Sequence, residues 1–329
     1  MVSIKDVARE AGVAISTVSK VLNNYPNVSE ATKQRVNEVV ERLGFVPNAV
    51  AATLSSKRTG RVALLLKLNL DTSASDEINM QYISGAIHKA KELQLDVITI
   101  FHSMIEDMSL DEVTSYFESQ GIRGIIVYGI TSRDKVLHKL IDSGRFKMVV
   151  VDAPMVNDNT SCIGVDHKKA QYDIAKKTIT ADKCKKILYL SGEDDGYVTK
   201  DRLEGIKKLC EDKKLKLTVR NGQFSEKRAR ELTMRFAKNN DCVVCASDLM
   251  AIGAMKALID MDIFRPVCGF DGIILMGYVG KQMNTVRQDF VKISERAVEE
   301  LNLLLSGEKG RKITMPHELV RIKYEDILV

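Results

Sequence analysis

The chain has 329 residues, of which 45% are hydrophobic and 28% are charged, with 20 glycines and 5 prolines. This length exceeds one ordinary hydrophobic core, and the composition excludes a disordered or low-complexity chain, so we predict two or three folded domains. The formal charge of +5 is too small to indicate a polyanionic partner by itself. Residues 1–60, however, hold 8 Lys and Arg against 5 Asp and Glu, so most of the positive excess lies at the start of the chain.

The first ten residues lack the apolar run of a secretory signal, and no uncharged stretch reaches the length of a membrane span. The sequence therefore predicts a cytoplasmic protein without a membrane segment. None of the 6 cysteines lies in the first 160 residues, and their spacing is not that of a disulfide framework, which favours reduced thiols. The histidines show no metal-ligand spacing either, so we expect no metal and no cofactor.

Residues 3–43 predict three short helices. Ser3 is a good helix cap, and an apolar stripe at helical spacing follows it until Gly12. A second helical pattern runs over residues 16–23, and Ser29 caps a third helix after a turn cluster. The first two helices form a helix-turn-helix, whose second helix fits the major groove of DNA. A three-helix bundle that binds no DNA is the alternative on this pattern alone.

The run IKDVAREAGVAISTVSKVLNNYPNVSEATKQRVNEVVERLGFVPNAVAATL resembles, almost residue by residue, the DNA-binding head of the lactose-repressor (LacI/GalR) family of bacterial transcription regulators. TVSxVLN, the following VS and LGFxPNAxA occur together in the family's order, which makes the resemblance specific. It implies that residues 1–46 are a helix-turn-helix DNA-binding domain and that Ile15, Ser16 and Lys20 contact bases. The positions that the resemblance assigns to phosphate contacts are Ser3, Thr17, Ser19, Asn23, Ser29 and Thr32.

Two residues depart from the family pattern in this segment. Ala14 stands where the family usually has Ser or Thr at the amino cap of the recognition helix, a change that costs about 0.5–2 kcal/mol of local stability. Lys20 replaces the usual Arg and lacks the planar pair of donors that binds guanine. These departures affect the expected operator preference rather than DNA binding itself.

Residues 47–60 predict a hinge helix and a linker. The segment from Asn48 to Leu54 is about two helical turns long, and so short a helix is marginal alone. The resemblance implies that two copies pair in a homodimer and enter the minor groove, with contacts from Asn48, Ala51 and Leu54. Leu54 would wedge into a base step and bend the duplex. A plain flexible linker is the alternative.

From Arg61 onwards, apolar strands alternate with amphipathic helices in two series. The strands are apolar without alternation, which is typical of parallel sheets buried on both faces. We therefore predict an α/β effector-binding and dimerisation region over residues 61–329 that has two Rossmann-like lobes. Lobe one is expected over about residues 61–160 and lobe two over about 161–286, with the tail, residues 287–329, divided between them.

Ligands of open α/β sheets bind beyond the carboxyl ends of the strands, and these ends are polar here. The candidate ligand contacts at the strand ends are Asp71, Tyr128, Asp152, Glu193, Asp248 and Asp271. A helix cap is the alternative for Asp248, and a turn-shaping role is the alternative for Asp152.

The resemblance extends to this region and implies a periplasmic-binding-protein-like effector domain. The segment YVTKDRLEGIKK matches the one whose Arg, here Arg202, contacts effector, with a surface salt bridge as the alternative. Asp76 and Asn79 are further candidates, in a segment where relatives commonly carry Asn-Pro-Phe-Phe against a sugar. Because the chain has no Trp and only 5% aromatic residues, we expect little stacking surface for a sugar. A ligand with an amino group suits the surplus carboxylates better.

We interpret the chain as a DNA-binding transcription regulator, a repressor that binds a pseudo-palindromic operator as a homodimer under the control of a small polar, sugar-like effector. It is not expected to be an enzyme, since no GxGxxG follows the Arg61 strand and no GxxxxGK[ST] occurs. An operator-binding dimer whose cleft no longer binds a ligand is one alternative. A solute-binding protein is a remote one, because it would need export and would have no use for residues 1–60.

Overall fold

The structure is a computed structural model that describes residues 2–22, 27–45, 61–68, 76–179 and 184–323. The chain divides into two compact units, Met1–Gly60 and Arg61–Val329.

The amino-terminal unit contains α1 (Ile4–Ala11), α2 (Ile15–Leu22) and α3 (Glu30–Leu43). α1 ends at Gly12, whose φ of 63° lies in the left-handed region that glycine tolerates. Apolar side chains from all three helices form one small core in which Val7, Val18 and Val36 are fully buried. The predicted all-α helix-turn-helix headpiece is confirmed.

The second unit is built from alternating strands and helices. Its first half contains β1 (Arg61–Leu66), α4 (Asp76–Glu92), β2 (Val97–Phe101), α5 (Leu110–Ser119), β3 (Ile122–Val127), α6 (Lys135–Ser143), β4 (Lys147–Val151) and β5 (Thr160–Val165). The chain continues through α7 (His167–Thr178), β6 (Lys186–Ser191), α8 (Tyr197–Lys213), β7 (Lys216–Asn221), α9 (Glu226–Phe236), β8 (Cys242–Cys245) and α10 (Asp248–Asp260). It ends with β9 (Val267–Cys268), β10 (Met283–Arg287), α11 (Phe290–Leu305), β11 (Lys312–Met315) and β12 (Glu318–Ile322).

Within the described residues, these strands form two six-stranded sheets, one in each lobe. The first has the order β11-β5-β4-β3-β1-β2 and is parallel throughout. The second has the order β12-β10-β9-β8-β6-β7, with the pair β10–β12 antiparallel and the other pairs parallel. Two Rossmann-like lobes with mainly parallel sheets are therefore confirmed.

The position of β5 corrects the expected start of lobe two near residue 161. β5 pairs with β4 from Met148↔Thr160 to Val151↔Ile163 and carries β11 on its other edge, so it belongs to the first sheet. The apolar pattern identified this segment as a strand, but a pattern along the chain does not show which sheet edge a strand joins. Lobe two begins with α7.

The chain crosses between the lobes three times in the described part of this unit. The crossings lie between β5 and α7, between β10 and α11, and between β11 and β12. α11 follows the second crossing and packs on α4 and on strands β3 to β5 of the first lobe. The expected return of the tail to the first lobe is thus observed, and β12 then joins the second sheet.

The strands lack alternation because both faces of each sheet are covered by helices. In β1, Ala63 and Leu65 belong to one buried cluster, and Val62, Leu64 and Leu66 belong to another on the opposite face. All five side chains are fully buried. This burial fixes the strands rigidly, so the polar residues at their carboxyl ends are held in place.

Candidate functional site

Helix α2 presents a polar outer face from a helix that is anchored by its inner face. Val18 and Val21 are buried, whereas Ile15 is 45% exposed and Ser16 and Lys20 are also exposed. Within the described residues of this unit, Ile15 does not belong to the apolar core that the three helices share. Thr17 and Ser19, the other predicted DNA contacts on α2, are only partly exposed.

The hydroxyl groups at the starts of α1 and α3 serve as helix caps. Ser3 Oγ accepts a hydrogen bond from the Asp6 N–H, and the Ser3 N–H donates to Oδ2 of Asp6 at 3.0 Å, which completes a capping box. Ser29 Oγ accepts from the Thr32 N–H, and the two side-chain oxygens are 2.8 Å apart. Caps orient these helix ends, so contacts to phosphates would come in addition to a structural role.

α2 begins without a side-chain cap of this kind. The Ala14 carbonyl accepts a hydrogen bond from the Val18 N–H at 3.1 Å. The methyl side chain of Ala14, however, has no acceptor for the free N–H groups of the first turn. Four predicted DNA contacts lie outside the described residues, namely Asn23, Asn48, Ala51 and Leu54.

A cleft of about 550 Å³ lies between the two lobes of the second unit. Its volume is typical of small-molecule sites. The structure brings together six of the nine predicted ligand contacts in its lining, which are Asn79, Tyr128, Asp152, Glu193, Arg202 and Asp271. Asn79 is also held by a hydrogen bond from its Nδ2 to the Lys67 carbonyl at 3.4 Å. Asp71 lies outside the described residues, and for Asp76 only the backbone is described.

A chain of hydrogen bonds connects the charged side chains at the cleft. His167 Nε2 lies 2.8 Å from Asp152 Oδ1, and Arg202 Nε donates to His167 Nδ1 at 3.3 Å. Arg202 Nη2 and Gln288 Nε2 both donate to Asp271 Oδ1, at 3.3 Å and 3.1 Å. Because Nδ1 of His167 accepts from the guanidinium, Nε2 is the ring nitrogen that donates to Asp152 Oδ1.

Burial changes the acidity of the Asp271 carboxyl. It raises the pKa of Asp271 to about 6, and the positive charge of Arg202 opposes this shift. A carboxyl with such a pKa is ionised at neutral pH and protonated at mildly acid pH, so the charge of the cleft depends on pH.

Three lining residues other than glycine have positive φ angles. These are Asp152 at 59°, Phe224 at 53° and Asp271 at 117°. Such conformations cost of the order of 1–3 kcal/mol each and persist where the surrounding structure enforces them, most often at functional sites. The two aspartates follow β4 and β9, and their unusual backbone conformations accompany the placement of one carboxylate from each lobe at the cleft.

Asp248 does not line the cleft, which corrects its prediction as a ligand contact. Its Oδ2 accepts from the N–H groups of Gly272 and Ile273, at 2.6 Å and 2.9 Å, and its Oδ1 accepts from Thr285 Oγ1 at 2.6 Å. The side chain is fully buried, and burial raises its pKa well above the usual range. Asp248 therefore braces the loop that carries Asp271, while Ser247 both caps α10 and lines the cleft.

Aromatic rings line the cleft despite the low aromatic content of the chain. Tyr82 lies 4.5 Å from Tyr128 and 5.3 Å from Phe290 between ring centroids, and Phe224 lines the cleft from the second lobe. The Tyr128 hydroxyl is hydrogen-bonded to Ser294 Oγ at 2.6 Å, so it is already paired within the protein. Tyr82, Tyr128 and Phe290 are almost completely buried, so the expectation of little stacking surface for a sugar stays a prediction.

Besides the hydrogen bond between His167 and Asp152, further contacts in the described residues join the lobes beside the cleft. On one side, the Ser132 N–H donates to the Asp195 carbonyl at 3.0 Å, and Arg133 Nε lies 3.4 Å from Asp195 Oδ2. On the other, the Ile274 N–H donates to Glu77 Oε1 at 3.2 Å. Glu77 belongs to the segment that departs from the family pattern, so this departure supplies an interlobe contact.

Sequence reasoning missed several residues of this site, notably Tyr82, His167, Phe224 and Gln288. Gln288 and His167 lie on segments where the chain crosses between lobes, and the run MNTVRQD, which contains Gln288, resembles the family's TTV-Q segment near such a crossing. That match was a signal for Gln288. For Tyr82 and Phe224 the sequence holds no comparable signal, because neither directly follows a strand in the apolar pattern.

The part of the chain that the structure describes holds neither a cluster of metal ligands nor a helix that could span a membrane. No group of three His, Cys, Asp or Glu side chains there could hold a metal ion. No helix there has both the length and the apolar character to cross a bilayer. All 6 cysteines are free and buried.

Comparison with known proteins identifies both units. Residues 3–48 match the bacterial regulatory proteins of the lacI family, and residues 72–309 match the periplasmic binding protein domain. Catabolite control protein A of Staphylococcus epidermidis (strain ATCC 12228 / FDA PCI 1200) is 30% identical over 340 residues, covering 98% of each chain. The HTH-type transcriptional regulator MalR of Clostridium butyricum is 26% identical over 339 residues, covering 97% of each.

Solved structures share the fold. The lac repressor dimer bound to operator and the anti-inducer ONPF has a TM-score of 0.81 at 22% identity, covering 98% of this chain and 99% of that one. The complex of the transcriptional regulator CelR with cellobiose has a TM-score of 0.67 at 20% identity, with the same coverage. The curated relatives are regulators, as the sequence predicted, and not enzymes. Because a domain match spans most of the chain and a relative at 30% identity covers 98% of it, the chain belongs to the LacI family of bacterial regulatory proteins.

Proposed function

We propose that this regulator is a repressor that binds a pseudo-palindromic operator as a homodimer, and that a small polar effector in the cleft changes its affinity for DNA. The outward face of α2 is the observation that carries the proposal. Ile15, Ser16 and Lys20 are exposed on a helix whose Val18 and Val21 are buried. A helix anchored in this way can enter the major groove with its outer side chains against base edges.

The proposed roles in DNA binding follow the sequence. Ile15, Ser16 and Lys20 contact bases. The residues that contact phosphates are Ser3, Thr17, Ser19, Asn23, Ser29 and Thr32. Leu54 of the hinge segment wedges into the minor groove. The similar lac repressor structure is a dimer bound to operator, which supports the same mode here. Such a protein acts where the chromosome is, so we infer a cytoplasmic location.

Exposed apolar side chains support the dimer. Met80 and Ile87 are 61% and 54% exposed on α4, and Ile274 is 52% exposed on the neighbouring short helix Ile274–Val279. The hydrogen bond from the Ile274 N–H to Glu77 Oε1 shows that the two helices are in contact. An apolar surface of this kind on a globular protein is typical of an interface, and we assign it to a second copy of the chain.

The cleft supports the effector. It joins polar groups of both lobes around aromatic rings, and the similar CelR structure holds cellobiose. A ligand that binds one arrangement of the lobes more tightly shifts the population toward it. The effect on operator affinity equals that preference and cannot exceed it.

Selection of bound fragments from genomic DNA, followed by fluorescence anisotropy at several salt concentrations, tests the proposal. We expect specific binding whose affinity falls steeply with salt. Lys20→Ala should cost about 1–3 kcal/mol on the selected site and reduce base preference. Arg42→Ala is the matched control, since it removes the same charge from an exposed ion pair with Glu10 on the same unit.

Two results would contradict the proposal. One is a monomer in analytical ultracentrifugation at the concentrations that bind DNA. The other is equal affinity for the selected fragments and for random duplexes. Leu54→Ala tests the hinge separately, because it should weaken specific binding and leave non-specific binding intact.

A further inference from the structure

We propose that the cleft binds a small organic cation, an amino sugar whose protonated amine lies against Asp152, Asp271 and Gln288. This inference rests on the proposed function only in taking the cleft as the effector site. It goes beyond that function by assigning the chemical class of the effector.

The first observation is that the principal cation of the cleft is already paired within the protein. Each nitrogen of Arg202 donates to a protein acceptor: Nε to His167, Nη1 to the Ala246 carbonyl and Nη2 to Asp271. The guanidinium carbon also lies 3.7 Å from the centroid of the Phe270 ring. Arg202 therefore offers little to an anionic ligand, and its role is to hold Asp271 in place.

The second observation is an acceptor that lacks a partner. Gln288 lines the cleft and is only 4% exposed. Its Nε2 donates to Asp271 Oδ1, which fixes the orientation of the amide, and among the described residues its Oε1 is a buried atom without a hydrogen-bond partner. A buried acceptor without a hydrogen bond raises the free energy of the folded protein, so a ligand that donates a hydrogen bond to this oxygen would be stabilised.

The third observation is the balance of charge. Asp152, Glu193 and Asp271 line the cleft with carboxylates, against Arg202 and an exposed Lys67. In the described part of the chain, the hydrogen bonds of both aspartates fall on Oδ1, which leaves each Oδ2 for a ligand. A protonated amine has three donors and one positive charge, so it matches two carboxylates and one amide oxygen.

The remaining lining residues fit the rest of an amino sugar. Phe224 lines the cleft with a partly exposed ring that can contact the apolar face of a hydroxylated ring, and the nearly buried Tyr82, Tyr128 and Phe290 form an apolar wall of the cleft. A cleft of about 550 Å³ is large enough for a monosaccharide or a disaccharide. A phosphorylated sugar would instead bring negative charge to three carboxylates, with the guanidinium already bound.

Isothermal titration calorimetry on the full-length protein near neutral pH tests this assignment. The probes are glucosamine, galactosamine and mannosamine, each compared with its parent sugar, its N-acetyl derivative and the corresponding hexose phosphate. We expect at least one amino sugar to bind more tightly than its neutral counterparts by roughly 10-fold to 100-fold, the worth of a charge-assisted hydrogen bond.

Asp152→Asn is the decisive variant, because it removes one charge and keeps the shape of the side chain. Asparagine tolerates the φ of 59° at this position, and its Oδ1 can still accept from His167. We expect an unchanged thermal midpoint without ligand and a loss of roughly 10-fold in amino-sugar affinity. Asp262→Asn is the matched control, since Asp262 also has a positive φ, 51°, but is exposed and outside the cleft lining.

Three results would overturn the inference. These are tighter binding of a neutral sugar or a hexose phosphate, binding of no amino sugar at all, and an amino-sugar affinity that Asp152→Asn leaves unchanged. Operator binding is measured on the same preparations. Intact operator binding without amine binding refutes only the assigned ligand class, whereas absent operator binding in the unmodified protein refutes the proposed function.

Discussion

Asp248 provides a sharp test of how the cleft is built. Asp248→Ala removes the acceptor for three donors, two of which, the Ile273 N–H and the Thr285 hydroxyl, are buried. The third, the Gly272 N–H, is partly buried. Since each donor left unsatisfied in the interior costs about 1–3 kcal/mol, and water can reach part of the loop, we expect a loss of about 3–5 kcal/mol in the free energy of unfolding.

The assay combines urea unfolding with hydrogen exchange. Far-ultraviolet circular dichroism follows unfolding because the chain has no Trp for fluorescence. The two-unit chain does not guarantee a single transition, so exchange at the amides of Gly272 and Ile273 gives the local readout. Asp248→Asn is the control, since its amide oxygen can still accept from these amides. The reasoning fails if Asp248→Ala leaves stability and exchange unchanged while abolishing ligand binding, because Asp248 would then be a ligand contact.

Three further predictions concern other buried or bridging carboxylates. Glu300→Ala should cost about 2–3 kcal/mol in urea unfolding, because Glu300 is fully buried against a half-exposed Arg311, and a Glu299→Ala control should cost less than about 1 kcal/mol. Glu77→Ala should speed hydrogen exchange at the Ile274 amide and leave the amides of β1 unaffected, because it removes an interlobe hydrogen bond worth about 0.5–1.5 kcal/mol. Affinity for a cationic ligand should fall as the pH drops through about 6, because Asp271 then gains a proton. The stability of the ligand-free protein should depend on pH in the opposite direction. The raised pKa of Asp271 stabilises the folded state at low pH, and this contribution to the free energy of unfolding is lost as the pH rises toward 6. The charged and titratable groups around Asp271 are Arg202, His167, Asp152, Asp248 and Tyr82. Titration calorimetry across this pH range would contradict the assignment if affinity stayed constant.

The headpiece could be predicted closely because local interactions define it. The cap at Ser3 and the left-handed residue Gly12 are both formed by neighbours in sequence. The spacing of Val18 and Val21 on one face of α2 can also be read from the sequence without knowledge of a distant partner. Sequence reasoning therefore found the three helices and the exposed face of α2 together.

The cleft was predicted only in part because its geometry depends on distant pairings. Asp152 and Asp271 were found because they follow strands, and strands of a parallel sheet end at one edge. The same rule failed for Asp248, whose carboxylate turns away to bind the loop at Gly272. It also missed Phe224, which reaches the cleft through a strained φ of 53° that no local pattern indicated.

The position of His167 and Gln288 connects ligand binding to the arrangement of the lobes. His167 begins α7 directly after the first crossing, and Gln288 lies on the second crossing, between β10 and α11. His167 is hydrogen-bonded to Asp152, and Gln288 is hydrogen-bonded to Asp271. A ligand that binds the two aspartates therefore acts on the segments about which the lobes turn. Because the sheets of the two lobes are buried on both faces, we expect the lobes to move as rigid bodies about these short segments. We therefore expect the free energy of ligand binding to act directly on the lobe angle, with the Glu77 contact to Ile274 opposing any opening.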